Sequence, residues 1–162
     1  AQQLLDSENM AELAAFCTGS LAISAETDAG SGSWEAAACQ CLQDLEILEP
    51  DWLALLKQWE QAPELPGFAP QDPEKLERIA VYFAFRYLLK AVNDGDLLGR
   101  AQFCALGVLV TDRLSRFVGL PEALRLFSRE IEHNEDNLDT LLEQFWQTEG
   151  LSLSALLAAF GG

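Results

Sequence analysis

Apolar residues recur along this chain at intervals of three and four, the spacing of a helix face, and nowhere alternate as a half-buried strand would require. The first stretch, "AQQLLDSENMAELAAFCTGSLAIS", carries Leu4, Leu5, Met10, Leu13, Phe16 and Cys17 in that pattern, and "TDAGSGS" (27–33) interrupts it as a loop. Ser33 is placed to cap a helix over "WEAAACQCLQDLEIL". Pro50 is expected to end that helix and Asp51 to cap the next, which sets Trp52, Leu55, Leu56 and Trp59 on one side. "APELPGFAPQDP" (62–73) reads as a linker or ordered loop, and Asp72-Pro73 is a strong helix start.

From Pro73 an unbroken helical pattern runs to "NDGD" (93–96). Leu76, Ile79, Phe83 and Tyr87 form one apolar face; Val81, Phe85, Leu88 and Val92 form a second, so this helix is expected inside a bundle. Gly95 suits a left-handed helix end and Asp96 a following cap. "LLGRAQFCALGVLVTDRLSRF" is apolar nearly all round, with Gly99, Ala101, Ala105 and Gly107 as small surfaces for a neighbouring helix. Residues 73–118 thus read as a central antiparallel hairpin. A long helix is expected from "GLP" (119–121) through Trp146, closed by Gly150, before a short final helix over "LSLSALLAAF". The class is all-α, an irregular bundle of six to seven helices.

Length fits a single domain, residues 1–162, with a sizeable core. No apolar run approaches the ~20 residues of a membrane span. The first residues lack the features of a signal peptide, and the missing initiator Met suggests either a processed chain or a piece cut from something longer. Charge narrows the partners. Residues 1–71 hold twelve acids and one base, residues 72–132 nine of each, and residues 133–162 five acids and no base. A surface of this sign disfavours nucleic acid and anionic membranes, whose phosphates need clustered Lys and Arg. Cys17, Cys39, Cys41 and Cys104 fit neither a disulfide framework nor zinc spacing; they read as thiols of a cytoplasmic protein, with Cys104 buried.

The candidate chemistry lies in "SREIEHNEDN" (128–137), which holds the single histidine, His133, in E-x-x-H spacing from Glu130. A metal site of the di-iron kind would need a second such pair, so no metal is assigned. The plainer reading is a charged band of Arg125, Arg129, Glu132, His133 and Asp136 on one helix side, with His133 paired to Glu130 or Asp136. A second row, Arg78, Tyr82, Arg86 and Lys90, is spaced four apart, and its cations are expected either to meet the acids of 128–139 or to bind an acidic group. Trp34, Trp52, Trp59 and Trp146 read as anchors of apolar faces. No phosphate-binding glycine motif or serine-nucleophile motif is present.

Three segments, "YFAFRYLLKAVNDGDLLGRAQFCALGVLV" (82–110), "RLFSREIEHNEDNLDTLLE" (125–143) and more loosely "CLQDLEILEPDWLALL" (41–56), resemble the C-terminal part of bacterial flagellin lysine-N-methylases. The resemblance covers roughly residues 41–146. It implies methyl transfer from S-adenosylmethionine to flagellin lysines, with an iron–sulfur cluster held by a cysteine-rich N-terminal segment that Cys17, Cys39 and Cys41 do not reproduce. The chain itself is then expected to carry no cofactor. It would act as an accessory or substrate-recognition domain beside that missing part, inactive alone, with a flagellin-like protein as partner. The family-matching positions are Tyr82, Arg86, Arg129, Glu130, Glu132, His133 and Asn137; none is assigned a catalytic role. The other reading is a stand-alone acidic module that binds a basic protein.

Overall fold

A computed structural model describes residues 33–62 and 70–161. The helical pattern over 1–24, the loop over 27–32 and most of the proline-rich stretch lie outside these residues. Seven helices of eight residues or more are present among the described residues, and no strand: α1 (Trp34–Asp44), α2 (Pro50–Glu60), α3 (Pro73–Tyr87), α4 (Leu97–Val118), α5 (Leu120–Phe127), α6 (Glu135–Gln147) and α7 (Leu153–Gly161). The protein is an all-α bundle. None of these helices is long and apolar enough to cross a membrane.

The caps follow the local chemistry. Ser33 accepts from the Glu35 N–H at 3.3 Å, Asp72 from the Lys75 N–H at 3.1 Å, and Asp96 from the Gly99 N–H at 2.8 Å. Gly95 takes φ +75° at the end of the turn after α3, where a side chain would be strained. One cap differs from expectation. Pro50 is the first residue of α2, not the end of α1, and Asp51 sits inside its first turn. Proline lacks the N–H that this position leaves unbonded, so it starts a helix at no cost.

α4 is the axis of the bundle, packed by α2, α3, α5, α6 and α7 and buried from Leu106 to Ser115. The hairpin of α3 and α4 is present. The core between them is aromatic: the Phe83 ring lies 6.1 Å from Phe103 and 5.7 Å from Phe127, and Tyr87 lies 4.6 Å from Phe103. Trp52, fully buried, meets Phe127 at 6.5 Å. Gly107 is small because the Phe83 ring presses on it: a Cβ there would stand 3.0 Å from the ring. At Gly99 the constraint is not a neighbouring helix but the Asp96 carboxylate that caps it.

Four expectations are corrected. α3 is not surrounded: its first apolar face is buried, but Val81, Phe85 and Val92 of the second are exposed. Trp146 is 70% exposed and anchors no apolar face among the described residues, and Cys104 is half-buried against the core. The long helix from residue 119 to Trp146 does not form; α5 stops at Phe127, a π-helical turn fills Ser128–Glu132, and α6 restarts from an Asn134 cap.

Phe83→Ala should cost about 3–5 kcal/mol, the usual loss for a fully buried phenylalanine. Gly107→Ala should also destabilise, although alanine gains about 1 kcal/mol of helix propensity, because Phe83 is hemmed in by Phe103, Phe127 and Tyr87 and cannot retreat. Urea midpoints test both, and a rise for Gly107→Ala would contradict this packing.

Candidate functional site

The π turn is made by the His133 N–H, which donates to the Ser128 carbonyl at 2.9 Å, one residue further than in an α-helix. Glu130, Ile131 and Glu132 are all buried in it. Residues two apart on a helix point roughly 200° from one another. The two carboxylates therefore enter the protein on opposite sides of the turn.

Glu130 turns toward the connection between α1 and α2. Its oxygens accept from the backbone N–H groups of Leu48 at 2.9 Å and Glu49 at 2.7 Å, at the N-terminal end of α2, where the helix dipole favours an anion. Asn137 completes the joint. Its Oδ1 accepts from the Glu46 N–H at 3.0 Å, and its Nδ2 donates at 2.8 Å to the carbonyls of both Glu46 and Glu130. Outside this joint, the Glu49 carboxylate accepts from Arg125 and lies 2.6 Å from Arg129 Nε, and the Arg125 hydrogen bond holds it below the usual carboxylate range.

Glu132 turns toward α3. Its Oε1 accepts from Tyr82 Oη at 2.9 Å and from Tyr87 Oη at 2.8 Å. Arg86 donates to Tyr82 Oη at 3.0 Å and stands 3.8 Å from the carboxylate, and Lys90 Nζ lies 5.3 Å over the Tyr87 ring. Burial, then the bond to Glu132, raises both tyrosine pKa values above the ordinary phenol.

Of the seven family-matching positions, Tyr82, Arg86 and Glu132 form one cluster, while Glu130, Asn137 and Arg129 form the other. His133 belongs to neither. It is exposed, and among the described residues it makes no ion pair with Glu130 or Asp136; both Glu130 oxygens already hold backbone N–H groups. The single charged band is likewise not formed, because the π turn sends Glu132 inward while Arg125 and Arg129 go to Glu49. From the cation row only Arg86 reaches the acids of 128–139; Arg78 is exposed.

One polar cluster was not anticipated. Asp112, buried in the middle of α4, lies 3.5 Å from Arg113 and 3.7 Å from Arg116, and burial raises its pKa against the pull of those cations. Arg113 also reaches Glu35 at 3.0 Å, and Glu35 accepts from Trp59 Nε1 at 2.8 Å. The only signal was the charged pair Asp112-Arg113 inside an apolar run. Beside it, Gln71, Lys75, Leu76, Asp112, Ser115 and Leu120 line a cleft of about 280 Å³.

Among the described residues no three His, Cys, Asp or Glu side chains converge to hold a metal ion. Cys39 and Cys41 do not fit iron–sulfur ligation, which needs converging thiolates. They sit two apart on α1, are buried, and keep their protons: burial pushes the Cys39 thiol up to about 12 and raises Cys41 as well.

Glu132→Ala should cost about 2–3 kcal/mol, because it strands the Tyr87 hydroxyl in the interior. Asn137→Ala should cost a similar amount through the Glu46 and Glu130 backbone groups. Urea denaturation reads both, and values under half a kcal/mol would contradict the buried bonds. Tyr82 and Tyr87 are the only tyrosines, so absorbance at the tyrosinate band reports this cluster alone. Their folded pKa values lie above the unfolded value of about 10, so the stability they contribute is complete below that pH and fades as pH rises above it. Tyrosinate should appear only above that point, with loss of structure; titration near 10 in the folded protein would refute the bonding.

No family model, curated protein sequence or solved structure matches this chain.

Proposed function

We propose that this chain is a helical accessory or substrate-recognition domain of a bacterial, cytoplasmic lysine N-methylation system of the flagellin-methylase type. One observation carries the reading. The three sequence segments that resemble that family are the ones that meet at the π turn, Glu130 and Asn137 bonding the 46–49 connection while Glu132 bonds Tyr82 and Tyr87. The resemblance thus picks out a single spatial unit and not three scattered stretches. The polar side chains of that unit are spent on holding it together, which fits a recognition role with methyl transfer performed by a separate cofactor-bearing part. A formal charge of −16 attracts a lysine-rich substrate and repels acidic competitors.

The same charge also favours a second reading, a stand-alone acidic module for a basic partner. One experiment separates them: titration of the full chain with a lysine-bearing flagellin fragment, with the same fragment acetylated at its lysines, and with an unrelated basic protein. Under the first reading the flagellin fragment binds, acetylation weakens it at least tenfold, and binding falls as salt rises from ~50 to ~300 mM through screening. Equal binding to the unrelated protein would favour the second reading. Absence of binding to either would overturn both.

A further inference from the structure

The second apolar face of α3 is uncovered among the described residues. Val81 is 42% exposed, Phe85 39%, Leu89 58% and Val92 86%. Their spacing keeps them on one side of α3 and of its short helical continuation through Asp94. Large apolar side chains standing side by side on a charged surface mark a contact.

The charge beside this stripe differs from that of the chain. Residues 73–100 hold five bases, Lys75, Arg78, Arg86, Lys90 and Arg100, and four acids, Glu74, Glu77, Asp94 and Asp96, a net of +1 in a chain of −16. Several are already engaged. Lys75 pairs with Asp72 and Arg100 with Asp94, Arg86 stands beside Glu132, and Asp96 caps α4. Arg78 makes no ion pair among the described residues.

We propose that two copies of this chain pair through the stripe, α3 against α3, about a two-fold axis between Phe85 and Leu89. The two helices then run antiparallel. Phe85 of one copy meets Leu89 of the other, Val81 meets Val92, and each contact occurs twice, as an isologous interface requires. Charge selects this direction. The ends that meet are the first turns of α3, with Glu74, Glu77 and Arg78, and the turn into α4, with Asp94, Asp96 and Arg100. Both are of mixed sign, and Arg78 comes to the two aspartates. A parallel pair would set Arg78 against Arg78, a like-charge contact.

The same charge count decides between occupants. An acidic partner is repelled by the rest of the chain, and a basic one is drawn to that rest and away from a near-neutral arm. A second copy brings an arm that is itself near-neutral, and repulsion between the outlying acids is screened over about 8 Å at physiological salt. A stripe of this size lies at the small end of specific interfaces, so the expected Kd is on the order of 10 µM. The inference is independent of the methylation reading, since it uses neither the π turn nor the substrate.

Sedimentation equilibrium of the full chain, from about 1 to about 500 µM at physiological salt, brackets that Kd and tests the pairing. The mass should rise from 17.8 kDa towards twice that value. Phe85→Asp with Leu89→Asp should hold it at 17.8 kDa throughout, with unchanged far-ultraviolet circular dichroism as the control for folding. Val92→Asp, at the most exposed position of the stripe, should weaken association at least fivefold without touching the core. Arg78→Glu should weaken it at least threefold. A monomer at the highest concentration would overturn the proposal and leave the stripe to a different protein. A dimer unaffected by the stripe substitutions would overturn it by placing the contact elsewhere, and a dimer unaffected by Arg78→Glu would overturn the antiparallel pairing.

Discussion

Two carboxylates two residues apart, Glu130 and Glu132, cannot leave water unless each meets its own donors, and the bundle is arranged around supplying them. An unbroken helix from α5 into α6 would have to carry both acids on a straight rod. The π turn instead widens the helix by one residue and seats the pair between the α1–α2 connection and α3. Backbone N–H groups serve one side and phenols the other. Removing donors from either side would leave a buried anion poorly served, so the positions of α2, α3 and α6 are coupled through five residues of chain.

The helices were largely legible in sequence because their boundaries are local chemistry. Ser33, Asp72, Asp96 and Gly95 act through atoms within three or four residues of themselves. Apolar spacing likewise located the buried faces of α2 and α3. The failures share a different cause. The π turn depends on what lies on both sides of residues 128–132, and neither flank is near in sequence. His133 looked important because it is unique and has acids three residues away, yet that arithmetic assumes a regular helix. The exposure of Val81, Phe85 and Val92 could not be read from α3 either, since periodicity says which residues share a face and not whether anything covers it. Trp146 shows the same limit.

A second polar seam runs through α4. Asp112 and Arg113 are adjacent and buried, and Arg113 continues to Glu35 and the Trp59 indole. An apolar replacement of the whole set could be as stable, because burying ions costs about what their pairing returns. What the seam adds is registry. α1 and α2 slide against α4 only by breaking these bonds.

The joint between Glu130, Asn137 and the 46–49 connection has a consequence in time. Its bonds span 82 and 91 residues, for Leu48 with Glu130 and Glu46 with Asn137, and they form between a connection near one end of the described chain and an elbow near the other. Closing loops of that size costs entropy before any contact returns it, so such bonds belong late on a folding pathway. During synthesis α1 and α2 emerge long before the residues that fasten the connection between them. They must wait on the ribosome with the connection's N–H groups in water, and a chain stopped short of Glu130 would leave the Leu48 and Glu49 N–H groups without their carboxylate.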